Sequence, residues 1–221
     1  SAQGDAIQKV FLREESEAVV GAWQQLLADF RQDGAPEFGS EQSAEQTRKN
    51  ELLPFAQQAE FQQAWRDLKD IHHFFDLLQR FDLTRQGAYR NAPAGAAVQL
   101  GQNVWQEVLE AARDSEFEIM LFAGSAGVVQ IQTGQVFNVV RARGYLNVLD
   151  SKQTGFSMHF KDDEVAETWL TRRDTEDGGI TCLEAFDADG KSVLQIFGKR
   201  KEGEREMAAW RELTDRYLQT A

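Results

Sequence analysis

The sequence predicts an α+β protein in which helices come first, a large antiparallel β-sheet follows, and a last helix closes the chain. Apolar residues recur every three to four positions over 16–31, 56–80 and 100–114, which is the spacing of amphipathic helices. From 117 to 198 the pattern changes to an alternation typical of half-buried strands, and helical spacing returns over 203–219. This segregation of helices from strands indicates an α+β class.

The helical region and the β region can each be divided further. The stretch 56–80 is predicted to form one helix or two helices with a break. Thr133-Gly134 and the stretch Asp187 to Gly190 are predicted hairpin turns, because glycine and aspartate are common turn formers. The predicted strands are 5–11, 117–122, 127–132, 135–143, 145–149, 155–160, 165–173, 179–186 and 191–198.

Composition places the chain among ordinary globular proteins, with 221 residues, 42% hydrophobic content and a net charge of −12. The negative charge argues against nucleic-acid binding and against docking on an anionic membrane. No apolar run approaches the roughly 20 residues of a membrane span, and no signal peptide is recognised. The single cysteine, Cys182, excludes an internal disulfide. We therefore expect a cytoplasmic location without membrane insertion.

A short stretch near the start of the chain resembles one near its end. Residues 2–11 (Ala-Gln-Gly-Asp-Ala-Ile-Gln-Lys-Val-Phe) resemble residues 188–197 (Ala-Asp-Gly-Lys-Ser-Val-Leu-Gln-Ile-Phe). Each copy precedes a charged segment and a helix with a tryptophan, Trp23 or Trp210. The second copy closes a long β region, whereas no strands precede the first. A chance similarity of turn, strand and helix is the alternative to an internal repeat.

The repeat hypothesis divides the chain into three parts. Residues 1–31 would be the end of a first repeat, consisting of a strand and a helix. Residues 32–54 are polar, carry two glycines and two prolines, and are predicted to be a linker. Residues 55–221 would be a complete second repeat.

Two of the three histidines stand side by side in the sequence Asp70-Ile-His-His-Phe-Phe. On a continuous helix, His73 would face charged neighbours, whereas His72 would align with an apolar stripe. That stripe consists of Phe61, Trp65, Leu68 and Phe75. A neutral imidazole on an aromatic face suits an axial ligand to the iron of a flat apolar cofactor, although such histidines more often belong to a core. His72 is therefore the candidate iron ligand, with His73 as an alternative.

Several further motifs carry a family resemblance. In the β region they are Gly-Tyr-Leu-Asn-Val-Leu-Asp at 144–150, Phe-Ser-Met-His-Phe at 156–160, Val-Ala-Glu-Thr-Trp-Leu-Thr-Arg-Arg at 165–173, Phe-Asp-Ala-Asp-Gly at 186–190 and Gln-Ile-Phe-Gly-Lys-Arg at 195–200. With Asp70-Ile-His72 and Thr84-Arg85, they resemble the HemS/ChuS/PhuS family of bacterial haem-utilisation proteins. That family has two tandem halves, each a large antiparallel sheet with helices, and binds one haem. The resemblance implies that this chain contains the C-terminal half.

The resemblance also implies a haem site. The family's axial histidine lies in an Asp-x-His motif, which corresponds to His72, the residue that helical spacing also selects. The family's propionate-binding residues correspond to Arg85, Arg173 and Arg200. Arginine suits this role because its planar fork can engage a carboxylate with two hydrogen bonds. Without the resemblance, Arg173 and Arg200 would be interpreted as solvated surface residues.

The resemblance implies a cytoplasmic protein that holds imported haem, as haem b, and transfers it. One alternative is oxidative haem degradation, which some relatives perform. Another is a structural half that binds haem poorly alone, because the family's distal arginine comes from the first half. A haem oxygenase, a haem importer and a second copy of the chain are candidate partners. No flavin, nicotinamide, serine-hydrolase or zinc motif is recognised, so no catalytic residue is assigned.

Overall fold

The computed structural model describes residues 12, 15–31, 52–125, 127–176, 178–201 and 203–219. The helices in these ranges are α1 (Glu17–Phe30), α2 (Phe55–Arg66), α3 (His73–Phe81), α4 (Arg85–Arg90), α5 (Val104–Asp114) and α6 (Ala208–Leu218). The strands are β1 (Ala97–Leu100), β2 (Ile119–Gly124), β3 (Val129–Gly134), β4 (Val139–Ala142), β5 (Tyr145–Asp150), β6 (Phe156–Phe160), β7 (Glu167–Thr175), β8 (Gly178–Phe186) and β9 (Ser192–Gly198). A short 3₁₀ turn spans Asp162–Glu164.

The chain divides into two compact units. The first groups Ser1–Gln46 with Ser125–Val128, and the second contains Thr47–Gly124 and Val129–Ala221. In the first unit, α1 is a 14-residue helix that follows an extended Ser16. The strand predicted at 5–11 and most of the linker predicted at 32–54 lie outside the described residues. The division into an incomplete first repeat, a linker and a second repeat therefore stays a prediction.

The second unit contains two antiparallel sheets. The larger has six strands in the order β1-β7-β8-β9-β2-β3, and the smaller has three in the order β4-β5-β6. This arrangement confirms the predicted α+β class with a large antiparallel sheet. The turn predicted at Thr133-Gly134 is wrong, because these residues end β3 and pair with Met120 and Ile119. Gly134 has a φ of 149°, which glycine tolerates, and the chain then enters the smaller sheet.

Both faces of the large sheet carry apolar residues, and each belongs to a different core. One core contains a row of side chains that lie directly opposite one another on four strands, namely Leu170, Leu183, Ile196 and Leu121. Residues from α5, α6 and the smaller sheet complete that core. The second core joins Trp169 and Phe186 to aromatic and aliphatic residues of α2, α3 and α4. Because successive strand residues point to opposite faces, Trp169 and Leu170 serve different cores.

A close approach between strand and helix should make Gly198 intolerant of any side chain. A Cβ atom built on Gly198 would lie 2.5 Å from Cγ of Trp210, which is completely buried. We expect Gly198→Ala to lower the free energy of unfolding by about 1–3 kcal/mol, because Trp210 must move in a packed core. Urea unfolding would measure this effect.

Gly101→Ala provides the matched control for Gly198→Ala, since no atom lies within 4 Å of a Cβ built there. We expect the control substitution to change the free energy of unfolding by less than about 0.5 kcal/mol. Equal stability of the two variants would contradict the interpretation of Gly198 as a packing requirement.

Candidate functional site

A cleft of about 550 Å³ lies against the large sheet and brings together the four residues that the sequence singled out as a site. Those four residues are His72, Arg85, Arg173 and Arg200. The other lining residues are Lys69, Asp70, Ile71, Phe75, Met120, Phe122, Thr175, Ile180, Gln195 and Phe197. The cleft therefore combines an imidazole, three guanidinium groups and a largely apolar wall.

The strand register explains why the sheet presents this wall. Met120 lies directly opposite Phe197, and Phe122 lies opposite Gln195. Along β2 and β9, these four residues alternate with Leu121 and Ile196, which belong to the first core. Their side chains therefore project from the opposite face of the sheet. Arg173 joins the same face through its pairing with Ile180. The ring centroids of Phe122 and Phe197 are 5.3 Å apart in an edge-to-face arrangement.

His72 reaches the cleft from a turn between two helices. Helix α2 ends at Arg66 and α3 begins at His73, so the stretch predicted as one helix or two contains a break. The expected alignment of His72 with an apolar helical stripe is therefore wrong. Phe61 and Trp65 are buried in the second core, whereas the His72 side chain is 81% exposed. The turn, and not helical spacing, places the imidazole at the cleft.

Asp70 fixes the orientation of the His72 ring. Oδ1 of Asp70 accepts a hydrogen bond from the His72 backbone N–H at 2.8 Å and lies 2.6 Å from His72 Nδ1. The backbone and side-chain hydrogen bonds from His72 lower the pKa of the Asp70 carboxyl. A carboxylate at Nδ1 favours the tautomer in which Nε2 carries the free lone pair. Nε2 of His72 is thus the available base or metal ligand.

His73 lies elsewhere. It lines a separate groove of about 410 Å³ that includes Glu60, Asp67, Asp76 and Arg80. It is not among the residues that line the His72 cleft. The structure therefore does not bring the alternative ligand to the three arginines.

Arg173 is a buried cation without a counter-ion among the described residues. It is only 4% exposed, its Nε is buried without a hydrogen-bond partner, and its guanidinium forms no ion pair with any residue that the structure describes. Its guanidinium carbon lies 4.6 Å from the centroid of the Phe74 ring, a cation–π distance. Arg200 also has a buried, unpartnered nitrogen, Nη1. Because an uncompensated buried charge is costly, this arrangement indicates a site for an anionic ligand.

Arg85 differs from the other two arginines because it already has a carboxylate partner. Its Nη2 donates to Oε2 of Glu184 at 3.0 Å, and Glu184 is completely buried. The guanidinium carbon lies 5.8 Å from the ring centroids of both Phe74 and Phe75. Burial opposes the charge of Arg85, but the neighbouring Tyr89 and Glu184 outweigh burial and raise its pKa.

Glu184 is the residue of this site that sequence reasoning missed. Its oxygens accept hydrogen bonds from Tyr89 at 2.5 Å, Ser192 at 2.6 Å and Gln195 at 2.7 Å, besides that from Arg85. Burial alone would raise the pKa of Glu184, but the Arg85 charge and these hydrogen bonds lower it, so the carboxylate is ionised at neutral pH. The available signal was a charged residue inside the apolar run of β8.

The cleft has the chemistry to bind a flat apolar molecule that carries carboxylates and a coordinating centre. Among the described residues, no group of three or more His, Cys, Asp or Glu side chains could hold a metal ion. The fold and the cleft together define the class as an α+β protein with a cleft whose lining suits a small ligand that is both anionic and apolar.

Comparison with known proteins identifies the family. Residues 82–217 match the family model described as the haemin-degrading HemS.ChuX domain. The chain is 37% identical over 216 residues to the hemin transport protein HmuS of Yersinia pestis, covering 98% of this chain and 60% of that protein. The chain belongs to the HemS/ChuX family, which confirms the resemblance noted in the sequence.

Two solved structures agree in fold and sequence. Holo-PhuS, a heme-binding protein from Pseudomonas aeruginosa, has a TM-score of 0.74 and 35% identity, covering 92% of this chain and 57% of its own. The heme-degrading enzyme ChuS of Escherichia coli O157:H7 has a TM-score of 0.74 and 36% identity, covering 88% of this chain and 55% of its own. The chain thus spans little more than half the length of these relatives, which fits a tandem-repeat fold. Within the described ranges, no helix has both the length and the apolar character of a membrane span.

Proposed function

We propose that this chain binds haem b, with His72 as the axial ligand to iron and the arginines of the cleft on the propionates. The observation that carries the proposal is the meeting of two features in one cleft. An exposed imidazole is oriented by Asp70, and the buried Arg173 guanidinium has no counter-ion among the described residues. Haem is an apolar disc with one coordinating metal and two carboxylates, so it complements both features. The names of relatives that bind or transport hemin support the same ligand.

Each part of the cleft has a task in this proposal. Asp70 retains the proton at Nδ1 of His72 and leaves Nε2 free for iron. Met120, Phe122 and Phe197 offer an apolar surface to the macrocycle. Arg173 and Arg200 donate to the propionates, and Arg85 contributes from its ion pair with Glu184. Haem held by these residues would supply an iron centre capable of redox chemistry.

We further propose that the chain holds imported haem in the cytoplasm and passes it to a partner such as a haem oxygenase. The His72 side chain is 81% exposed, which supports release of haem, because a partner could reach the imidazole that holds the iron. Oxidative haem degradation is the second candidate function. It is favoured by the description of the family model and by the name of the ChuS enzyme.

A haem titration of the chain tests the proposal. We expect saturable, one-to-one binding with a Soret band that marks histidine-bound haem. Haem binding that rises without saturation would contradict the proposal. It would favour the alternative that this chain is a structural half that binds haem poorly alone.

The loaded protein then separates the carrier from the enzyme. Incubation with ascorbate in air should leave a carrier's haem intact and transferable to apomyoglobin. Formation of a bilin with release of iron would instead support haem degradation.

A further inference from the structure

The cleft contains more positive charge than haem requires. Arg85, Arg173 and Arg200 line it, and each has a buried nitrogen atom without a hydrogen-bond partner among the described residues. Lys69 also lines the cleft, but its side chain is 74% exposed and lies 3.6 Å from the Glu176 carboxylate, so solvent screens it. Three guanidinium charges therefore act in a low-dielectric setting.

Glu184 opposes these charges from beneath the cleft. Its side chain is completely buried, and it forms an ion pair with Arg85. Four donors from α4 and β9 hold its two oxygens, so the carboxylate has a single orientation. Asp70, the acidic residue among the described cleft residues, is 52% exposed and is engaged with His72. The buried carboxylate of Glu184 thus leaves two of the three guanidinium charges uncompensated.

We propose that Glu184 is a specificity-determining residue, which neutralises Arg85 and so matches the cleft to porphyrins with two carboxylates and not to those with four. This inference rests on the proposed function. Haem carries two propionates, which the two uncompensated guanidinium groups can neutralise. A porphyrin with four carboxylates would leave two negative charges without buried partners, and such charges are unfavourable in a partly desolvated site.

Glu184→Gln removes the charge with little change of shape. The amide oxygen can still accept from Arg85 and Tyr89. The amide nitrogen can donate to the Ser192 hydroxyl and to the Gln195 side chain once that amide turns. The variant therefore frees the Arg85 charge while the carboxylate's position stays occupied by a hydrogen-bonding group.

The test compares two probes by Soret titration, iron protoporphyrin IX with two carboxylates and iron coproporphyrin III with four. We expect the wild-type chain to prefer protoporphyrin. Glu184→Gln should raise the affinity for coproporphyrin relative to protoporphyrin by about fivefold to tenfold at low salt. The gain should shrink as salt is added, because the effect is electrostatic. Glu206→Gln is the matched control, since Glu206 is a buried glutamate that accepts a hydrogen bond from Thr181 and is not among the residues that line the cleft.

The outcomes separate this inference from the proposed function. If Glu184 had a merely structural role, Glu184→Gln would lower the affinities for both probes alike. An unchanged ratio of the coproporphyrin affinity to the protoporphyrin affinity would therefore overturn the inference. If the wild-type chain bound neither probe saturably, the proposed function would fail, and the inference would fail with it.

A second variant keeps the inference testable if Glu184→Gln does not fold. Arg200→Gln removes one of the two uncompensated charges. It should lower the affinity for coproporphyrin more than that for protoporphyrin. If the ratio of the coproporphyrin affinity to the protoporphyrin affinity rose or stayed the same in Arg200→Gln, the inference would also be overturned.

Discussion

His72→Ala should lower the haem affinity of the chain by at least about a hundredfold and abolish the Soret band of histidine-bound haem. The loss should be large because His72 offers its Nε2 lone pair from a ring that Asp70 holds in place. Residues that merely orient a metal ligand are commonly worth about tenfold to a hundredfold in affinity, so removal of the ligand itself should cost at least as much. Spectroscopic titration of wild type and variant would measure the difference.

His73→Ala is the matched control for His72→Ala. The two histidines are adjacent, and both side chains are exposed, but His73 lines the separate acidic groove. We expect His73→Ala to bind haem like the wild type. Loss of binding in the His73 variant with retention in the His72 variant would reverse the assignment of the iron ligand.

Arg173→Met should have opposite effects on stability and on binding. Without a ligand, the buried guanidinium has no counter-ion among the described residues, so its replacement by an apolar side chain of similar length removes a desolvation cost. The lost cation–π contact with Phe74 offsets part of this gain. We expect the free energy of unfolding of the ligand-free chain to rise by about 1–2 kcal/mol. Haem affinity should fall by about tenfold to a hundredfold, because a charge-assisted hydrogen bond to a propionate is lost.

The neighbouring Arg172 provides the contrast. Its guanidinium lies 2.5 Å from the Asp215 carboxylate and also donates to Thr181 and Thr214. Arg172→Met should therefore destabilise the chain by about 1–3 kcal/mol and leave haem affinity nearly unchanged. Urea unfolding and haem titration of both variants give the comparison. Destabilisation by Arg173→Met with unaltered binding would show that Arg173 serves the fold and not a ligand.

Much of the fold could be predicted from local patterns. The alternation of residues indicated eight strands between 117 and 198, and these correspond to β2 through β9 with ends displaced by a few residues. The helices α5 and α6 lie within their predicted ranges. Among the described α-helices and β-strands, two short ones were missed, β1 with four residues and α4 with six. Elements of that length contain too little periodicity to be recognised, and tertiary packing stabilises them.

The division into two sheets was not visible in the sequence. Strands β3 and β4 each show alternation, but alternation does not say which strand a given strand pairs with. The pairing of Thr133 and Gly134 with β2 decides that β3 ends there and that the chain then leaves the large sheet. The predicted turn at these residues was wrong for that reason.

By itself, the sequence determined the α+β class through periodicity and the family through motifs, which are local properties of a chain. The three arginines that the structure places in one cleft with His72 were found only through the family resemblance. Tertiary structure alone decided that His72 lies in a turn and that Glu184 neutralises Arg85. It also decided that Arg173 is buried with no counter-ion among the residues that the structure describes. The charge state and exposure of a side chain depend on neighbours distant in sequence, such as Arg85 and Glu184, which only folding brings within 3.0 Å.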